Sequence, residues 1–150
     1  MISTAFSTSS IVLIPVDNII FLQATSPLRK TNDIDNAFKK FKKTRADSLF
    51  SGHKSEDHFD IWELKKKIFY PLTIDFKNRK PRQLFKSQHF MQNESIYIFK
   101  KKILDKYNNR LGGKIMVFQM DEWQSFQLDN LKQKKIMELL FQRMLKKKYD

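Results

Sequence analysis

The stretch that decides the fold runs from residue 18 to residue 51 and reads NIIFLQATSPLRKTNDIDNAFKKFKKTRADSLFS. Its first six residues, NIIFLQ, are largely apolar, which is typical of a strand buried on both faces of a sheet. ADSLFS, residues 46–51, predicts a second strand. Between them, apolar residues recur at the i, i+3, i+4 and i+7 spacing of an amphipathic helix: Ile34, Ala37, Phe38 and Phe41. This order predicts a βαβ unit, and therefore an α/β fold with a parallel sheet.

The rest of the chain continues the alternation less regularly. Residues 53–92 show little periodicity, whereas the later segments predict, in order, a strand at 95–100, a short helix at 101–107, a strand at 114–120 and a short strand at 125–129. A long helix is predicted over residues 130–148, with an inner stripe of Ile136, Leu139, Leu140 and Met144. There is no repeat and no low-complexity linker. One domain over residues 1–150 is the prediction.

Composition narrows the class of protein. The 150 residues are 41% hydrophobic and 13% aromatic, which suits a globular core. Cysteine is absent, which excludes disulfides, thiolate metal sites and cysteine nucleophiles. The apolar run at residues 11–14 is far too short to cross a membrane, and no signal peptide is recognisable. We therefore expect a cytoplasmic protein with no membrane partner.

The formal net charge of +13 is large for this length. Nucleic acid, an anionic surface or a phosphorylated small molecule are the usual partners of such a balance. The lysines are spread over several predicted elements, which favours solvated helix faces over a single binding groove. A basic nucleic-acid-binding module remains an alternative and predicts binding that falls steeply with salt. No RNA- or DNA-binding signature supports it.

Polar side chains stand where two predicted strands end, the usual place for ligands in open α/β sheets. The Gln23 amide suits the hydroxyls of a sugar, or it satisfies a loop. The Asp129 carboxylate suits Mg²⁺, or it caps the helix that follows. In PRQ, residues 81–83, the Arg82 guanidinium is a partner for a carboxylate or phosphate, unless the loop is merely solvated. The three histidines lack metal-ligand spacing, and the three glycines cannot form a phosphate loop.

Four blocks of sequence resemble one family. LQATSPLRKTNDIDNAF resembles the LQPTSPLR…DID segment of the acylneuraminate cytidylyltransferases, the CMP-sialic acid synthetases. ADSLFSG with IWE and DFKNRKPRQ resembles the middle of that family. NESIYIFKKKILDKYNNRLGGKI resembles its NGSIYIFK…NRLGGKI block, and MDEWQSFQLD resembles its ending. The match is collinear and runs from about residue 18 to residue 150.

The resemblance implies a fold, a reaction and a set of site residues. The fold is a three-layer, Rossmann-like nucleotide-diphospho-sugar-transferase domain with a mostly parallel sheet, which dimerises through a middle segment, here residues 53–92. The reaction transfers CMP from CTP to a nonulosonic acid, releases pyrophosphate, requires Mg²⁺ and serves cell-surface polysaccharide biosynthesis. By resemblance, the sugar pocket comprises Gln23, Arg82, Gln83, Asn93 and Tyr97. Arg82 pairs with the sugar carboxylate, and Asp129 holds the metal; these two are the implied catalytic residues.

The chain departs from the family pattern at several points. It shows no counterpart of the family's N-terminal strand and its basic, glycine-containing loop, roughly RGGSKG…KN, which grips CTP. Ala24 replaces a proline, Glu94 stands where a glycine follows the asparagine, and Gln127 occupies a position that is often acidic. The prediction is an N-terminally truncated cytidylyltransferase that is poorly active or inactive alone, and that is marginally stable or aggregates unless a partner chain covers its apolar edge. A non-catalytic partner of a full-length synthetase is the other alternative.

Overall fold

The computed structural model describes residues 16–55, 60–79, 81–84 and 88–146. The apolar run at residues 11–14 lies outside these ranges. In chain order, the elements are β1 (Asn18–Leu22), α1 (Asp33–Lys43), β2 (Ser48–Ser55), β3 (Trp62–Lys65), β4 (Ile68–Pro71), β5 (His89–Lys100), α2 (Lys101–Tyr107), β6 (Ile115–Gln119) and α3 (Leu131–Lys146). Short 3₁₀ turns cover Phe76–Asn78, Arg82–Leu84 and Glu122–Ser125.

Within the described ranges, the main sheet has four strands in the order β1-β5-β2-β6. β2 pairs in parallel with β6, and β5 is antiparallel to both β1 and β2. Strands β1, β2 and β6 therefore run in one direction and β5 runs against them, which makes the sheet mixed and confirms the predicted α/β class. β5 lies between the two strands of the predicted βαβ unit. Its residues 96–99 are at most 3% exposed, because both faces of this central strand are covered.

Helix α1 forms where the apolar spacing predicts it. Ala37 and Phe41 are buried against Leu49 and Ile98 of the sheet, and Ile34 and Phe38 pack around them. Aspartates occupy the first turn and lysines the last, an arrangement that the helix dipole favours. The amphipathic pattern thus predicted both the helix and the face that it buries.

Two later predictions are wrong. The segment 125–129, predicted as a strand, continues from a 3₁₀ turn into irregular chain, because its alternating residues meet no partner strand among the described residues. The predicted inner stripe of α3 is wrong in part: Ile136 is 47% and Leu139 is 67% exposed, Leu140 is half-buried, and the buried residue is Met137. The Met144 side chain lies outside what the structure describes.

Residues 62–71 form a separate β-hairpin that the sequence pattern did not predict. β3 and β4 pair in a two-stranded antiparallel sheet. Lys66 and Lys67, which join them, both have positive φ, as a tight hairpin turn requires. Leu64, Ile68 and Phe69 are 57–63% exposed. The hairpin therefore presents an apolar surface.

β1 lies at one edge of the described sheet. Ile20, Phe21 and Leu22 are 39–42% exposed, so apolar surface is open at this edge. Marginal stability of the chain stays a prediction. None of the helices in the described part of the chain has the length and apolar character needed to cross a membrane.

Candidate functional site

The turn after β1 is fastened by Arg29. Its Nη1 donates to the Ser26 carbonyl oxygen at 2.6 Å, to Ser95 Oγ at 3.1 Å, to the Ser95 carbonyl oxygen at 3.3 Å and to the Gln23 carbonyl oxygen at 3.4 Å. Partial burial lowers the pKa of Arg29, and the nearby charge of Asp33 opposes that shift. The guanidinium thus ties the segment TSPLR to β5 and fixes where Gln23 leaves the sheet.

A bulge in β5 lies beside this turn. Between Phe50 and Gly52, β2 advances two residues while the paired β5 advances five, from Tyr97 to Gln92. The Ser51 hydroxyl fills the gap, donating to Asn93 Oδ1 at 2.6 Å and accepting from the backbone N–H of Ile96 at 2.7 Å. The bulge is therefore held by buried hydrogen bonds.

The buried side chain of Asn93 stabilises this bulge. It is 2% exposed, and its Oδ1 also accepts from the backbone N–H of Ser95 at 3.2 Å. Its Nδ2 lies 3.4 Å from the Met120 sulfur. The amide implied to line the sugar pocket is thus engaged within the protein, and its contact with a substrate stays a prediction.

Glu94 projects from the bulge toward Gln23. It has a φ of 57°, a left-handed conformation that side chains other than glycine adopt uncommonly. Gln23 Nε2 donates to Glu94 Oε2 at 3.0 Å and to Thr25 Oγ1 at 3.1 Å. The predicted sugar ligand therefore already has a carboxylate partner, at a position that departs from the family pattern.

Tyr97 is packed under a guanidinium that the sequence reasoning missed. The Arg110 Cζ lies 4.3 Å from the ring centroid of Tyr97 and 4.6 Å from that of Phe21, which is within cation–π range. Burial raises the pKa of Tyr97, the negative charge of Glu94 raises it further, and Arg110 and a hydrogen bond from Gln92 oppose the shift. The turn NNRLGG gave no signal that its arginine folds back onto β5.

These contacts connect Gln23, Glu94, Tyr97 and Arg110, which we call the β1–β5 site. Gln23 and Glu94 are hydrogen-bonded, the Glu94 charge acts on Tyr97, and Arg110 covers the Tyr97 ring. The site lies at the carboxyl end of β1, where the strand-end rule places ligands. It combines an amide, a carboxylate, a phenol and a guanidinium.

The segment that carries Asp129 lies next to this site. The backbone N–H of Leu128 donates to the Thr25 carbonyl oxygen at 2.8 Å. Asp129 is exposed, and the Asn130 side chain, rather than Asp129, accepts the N–H of Gln133 at the start of α3. The capping interpretation of Asp129 is therefore wrong, because its neighbour caps the helix. Among the described residues no group of three His, Asp or Glu side chains is placed to hold a metal ion.

The PRQ motif is placed only in part. Arg82 begins the 3₁₀ turn Arg82–Leu84, but its side chain lies outside what the structure describes. Gln83 is exposed. The convergence of Arg82 and Gln83 with Gln23 stays a prediction.

A histidine–serine contact joins β2 to the 3₁₀ turn Glu122–Ser125. His53 Nδ1 and Ser125 Oγ are 2.7 Å apart, and His53 is 7% exposed. Neither their spacing in the sequence nor a motif indicated this contact. It holds the turn after β6 against the end of β2.

The fold and the site define an α/β protein with a mixed polar cluster at a strand end. The chain is similar to a Campylobacter coli protein described as post-translational flagellin modification protein B, with 30% identity over 127 residues. The alignment covers 83% of this chain and 52% of the relative, so the chain spans about half of that protein's length. No protein-family model matches the chain.

Proposed function

We propose that the chain is the sugar-binding part of a nucleotidyltransferase that transfers CMP from CTP to a nonulosonic acid and releases pyrophosphate. The observation that carries the proposal is the contact between the Leu128 N–H and the Thr25 carbonyl oxygen. It brings the segment of the proposed metal ligand, Asp129, to the turn that holds the proposed sugar ligand, Gln23. The collinear resemblance and the relative's role in flagellin modification support the same class of reaction.

In this reaction the sugar's anomeric oxygen forms a bond to the α-phosphate of CTP, the bond between the α- and β-phosphates breaks to release pyrophosphate, and the hydroxyl proton passes to solvent. Catalysis therefore consists mainly of positioning and charge neutralisation. Gln23 would orient the sugar hydroxyls, and Tyr97 would bound the pocket while Asn93 shapes it from within. Arg82, with Gln83, would bind the sugar carboxylate.

The Asp129 carboxylate fits Mg²⁺, because this ion is commonly held by one or two carboxylates together with substrate phosphates and water. The exposed Asp129 satisfies that requirement, and the neutral Gln127 offers only a carbonyl oxygen. When bound, Mg²⁺ would neutralise charge that develops on the phosphates. We place the reaction in the cytoplasm, where CTP is made.

Calorimetry with a CMP-linked sialic acid tests this function. We expect binding that strengthens with Mg²⁺ in the wild-type chain and loses the Mg²⁺ effect in Asp129→Ala. Asp105→Ala is the matched control, because Asp105 is an exposed carboxylate that pairs with Lys101 on α2. If the wild-type chain does not bind the CMP-linked sialic acid at millimolar ligand concentration, the proposal is overturned.

Further experiments on the same purified chain distinguish the proposed function from the two alternatives. Binding of oligonucleotides that falls steeply with salt, together with no sugar binding, would favour the basic nucleic-acid-binding module suggested by the +13 charge. Co-purification with a full-length synthetase, again without sugar binding, would favour the non-catalytic partner.

A further inference from the structure

Glu94 occupies a backbone conformation that suits glycine better. Its φ of 57° brings the side chain of an L-residue close to its own backbone, whereas glycine has no such conflict. The bulge around it is fixed by Ser51 and Asn93, so the chain cannot relax by shifting register. A side chain kept in an unfavourable conformation beside a binding cluster suggests a role for that side chain.

The hydrogen bonds show how Glu94 changes the site. The two donors of the Gln23 amide go to Glu94 Oε2 and Thr25 Oγ1. An ionised carboxylate has acceptor capacity for about four hydrogen bonds, so the one bond that Glu94 accepts within the described part of the chain, from Gln23, leaves most of that capacity unused. A ligand that reaches Gln23 therefore meets hydrogen-bond acceptors, and an N–H or O–H donor fits them best.

Two opposite charges act on Tyr97. The Glu94 carboxylate, which accepts from the Gln23 amide, raises the pKa of Tyr97, and the Arg110 guanidinium covers the Tyr97 ring. Glu94 is half-buried, and partial removal from water strengthens its attraction for a cation. A ligand with a cationic nitrogen therefore matches the Glu94 carboxylate.

We propose that Glu94 is a specificity-determining residue that makes the β1–β5 site prefer a sugar acid bearing a protonated nitrogen over its neutral N-acyl counterpart. The preference rests on the proposed function, since it concerns the sugar that the nucleotidyltransferase would accept. Glu94 acts by direct contact with that nitrogen and by holding the Gln23 amide.

The test compares two ligands that differ at one nitrogen. The methyl glycosides of neuraminic acid and of N-acetylneuraminic acid share the ring and the carboxylate, but only the first has a free amine. We expect the wild-type chain to bind the free amine about tenfold more tightly, as a close charge pair allows. In Glu94→Gln, which keeps the side-chain size but removes the charge, the two affinities should agree within about twofold.

Two further variants complete the design. Glu94→Gly should lose the same preference and unfold at an equal or higher urea concentration, because glycine adopts positive φ readily. Glu138→Gln, on the exposed face of α3, removes one negative charge elsewhere and should keep the wild-type preference.

The outcomes separate the two proposals. If both sugars bind and Glu94→Gln keeps the wild-type ratio, Glu94 does not set specificity, while the proposed function stands. If neither sugar binds to the wild type or to the variants, the proposed function fails and this inference fails with it.

Discussion

At the scale of a residue, the contacts of Arg29 explain why an arginine follows the apolar run of β1. Its Nη1 reaches carbonyl and hydroxyl oxygens of Gln23, Ser26 and Ser95 and so holds the turn against β5. Lysine carries the same charge on a compact ammonium that is more strongly hydrated than a guanidinium and is therefore more costly to bury in part. The position therefore favours arginine.

We predict that Arg29→Lys destabilises the chain by about 2 kcal/mol, because several partly buried acceptors lose a well-aligned donor. Urea unfolding followed by circular dichroism measures the change. Arg143→Lys, on the exposed surface of α3, is the control and should unfold at the wild-type midpoint. Equal midpoints for both variants would show that Arg29 does not hold the turn.

The residues of the site were only partly predictable. Gln23 stood out because an amide closing an apolar run is unusual. Arg110 gave no such signal, because its role depends on the Phe21 and Tyr97 rings that the sheet brings beneath it. Asn93 was assigned to a pocket, and the structure shows its amide engaged in the bulge. Such contacts depend on strand register, which a sequence pattern does not fix.

At the scale of elements, local periodicity was reliable only where an element buries one continuous face. α1 meets that condition, and its spacing predicted its position and its inward side. The segment 125–129 alternates like a strand, yet it carries no ladder in the described sheet. α3 buries Met137 rather than the predicted stripe, because few of its side chains reach the core. The order of the strands depends on long-range pairing by β5.

Asp47 joins three elements at the start of β2. Its Oδ1 accepts from Lys100 Nζ at 2.8 Å, and its Oδ2 accepts from the backbone N–H of Lys114 at 3.0 Å. The hydrogen bond from Lys100 and that from Lys114 lower the pKa of Asp47 from 3.8 to about 2. The carboxylate thus links the end of β5 and the start of β6 to β2.

A pH dependence of stability follows from this pKa. Because the folded-state pKa lies below the unfolded one, the contribution of Asp47 is fully present above about pH 4 and is lost as the pH falls toward 2. Urea unfolding at pH 6 and pH 3 should show a larger loss of stability in the wild type than in Asp47→Asn. Identical losses in the two proteins would mean that Asp47 makes no linked contribution.

At the scale of the whole molecule, the exposed apolar surface of the β3–β4 hairpin indicates an interface with another protein chain. Leu64, Ile68 and Phe69 are more than half exposed, and the hairpin makes its own two-stranded sheet. A two-stranded hairpin alone is marginally stable in water. We propose that a second copy of the chain covers it, as the resemblance implied for residues 53–92.

Sedimentation analysis tests this homodimer. We predict a dimer for the wild type and a monomer for Phe69→Asp, because a buried charge without a partner opposes association. Leu139→Asp is the matched control, with a similarly exposed apolar side chain on α3, and should remain dimeric. A monomeric wild type, or loss of the dimer only in Leu139→Asp, would contradict the assignment of the interface.

The most direct test of the central claim, that the β1–β5 site binds a sugar acid, is an NMR titration of the ¹⁵N-labelled chain with N-acetylneuraminic acid. We predict saturable shifts that are largest at the Gln23 side-chain amide, at the backbone amides of Glu94 and Tyr97, and at Arg110 Nε. Saturable shifts confined to other surfaces, or no shift at these four groups at millimolar sugar, would contradict the claim.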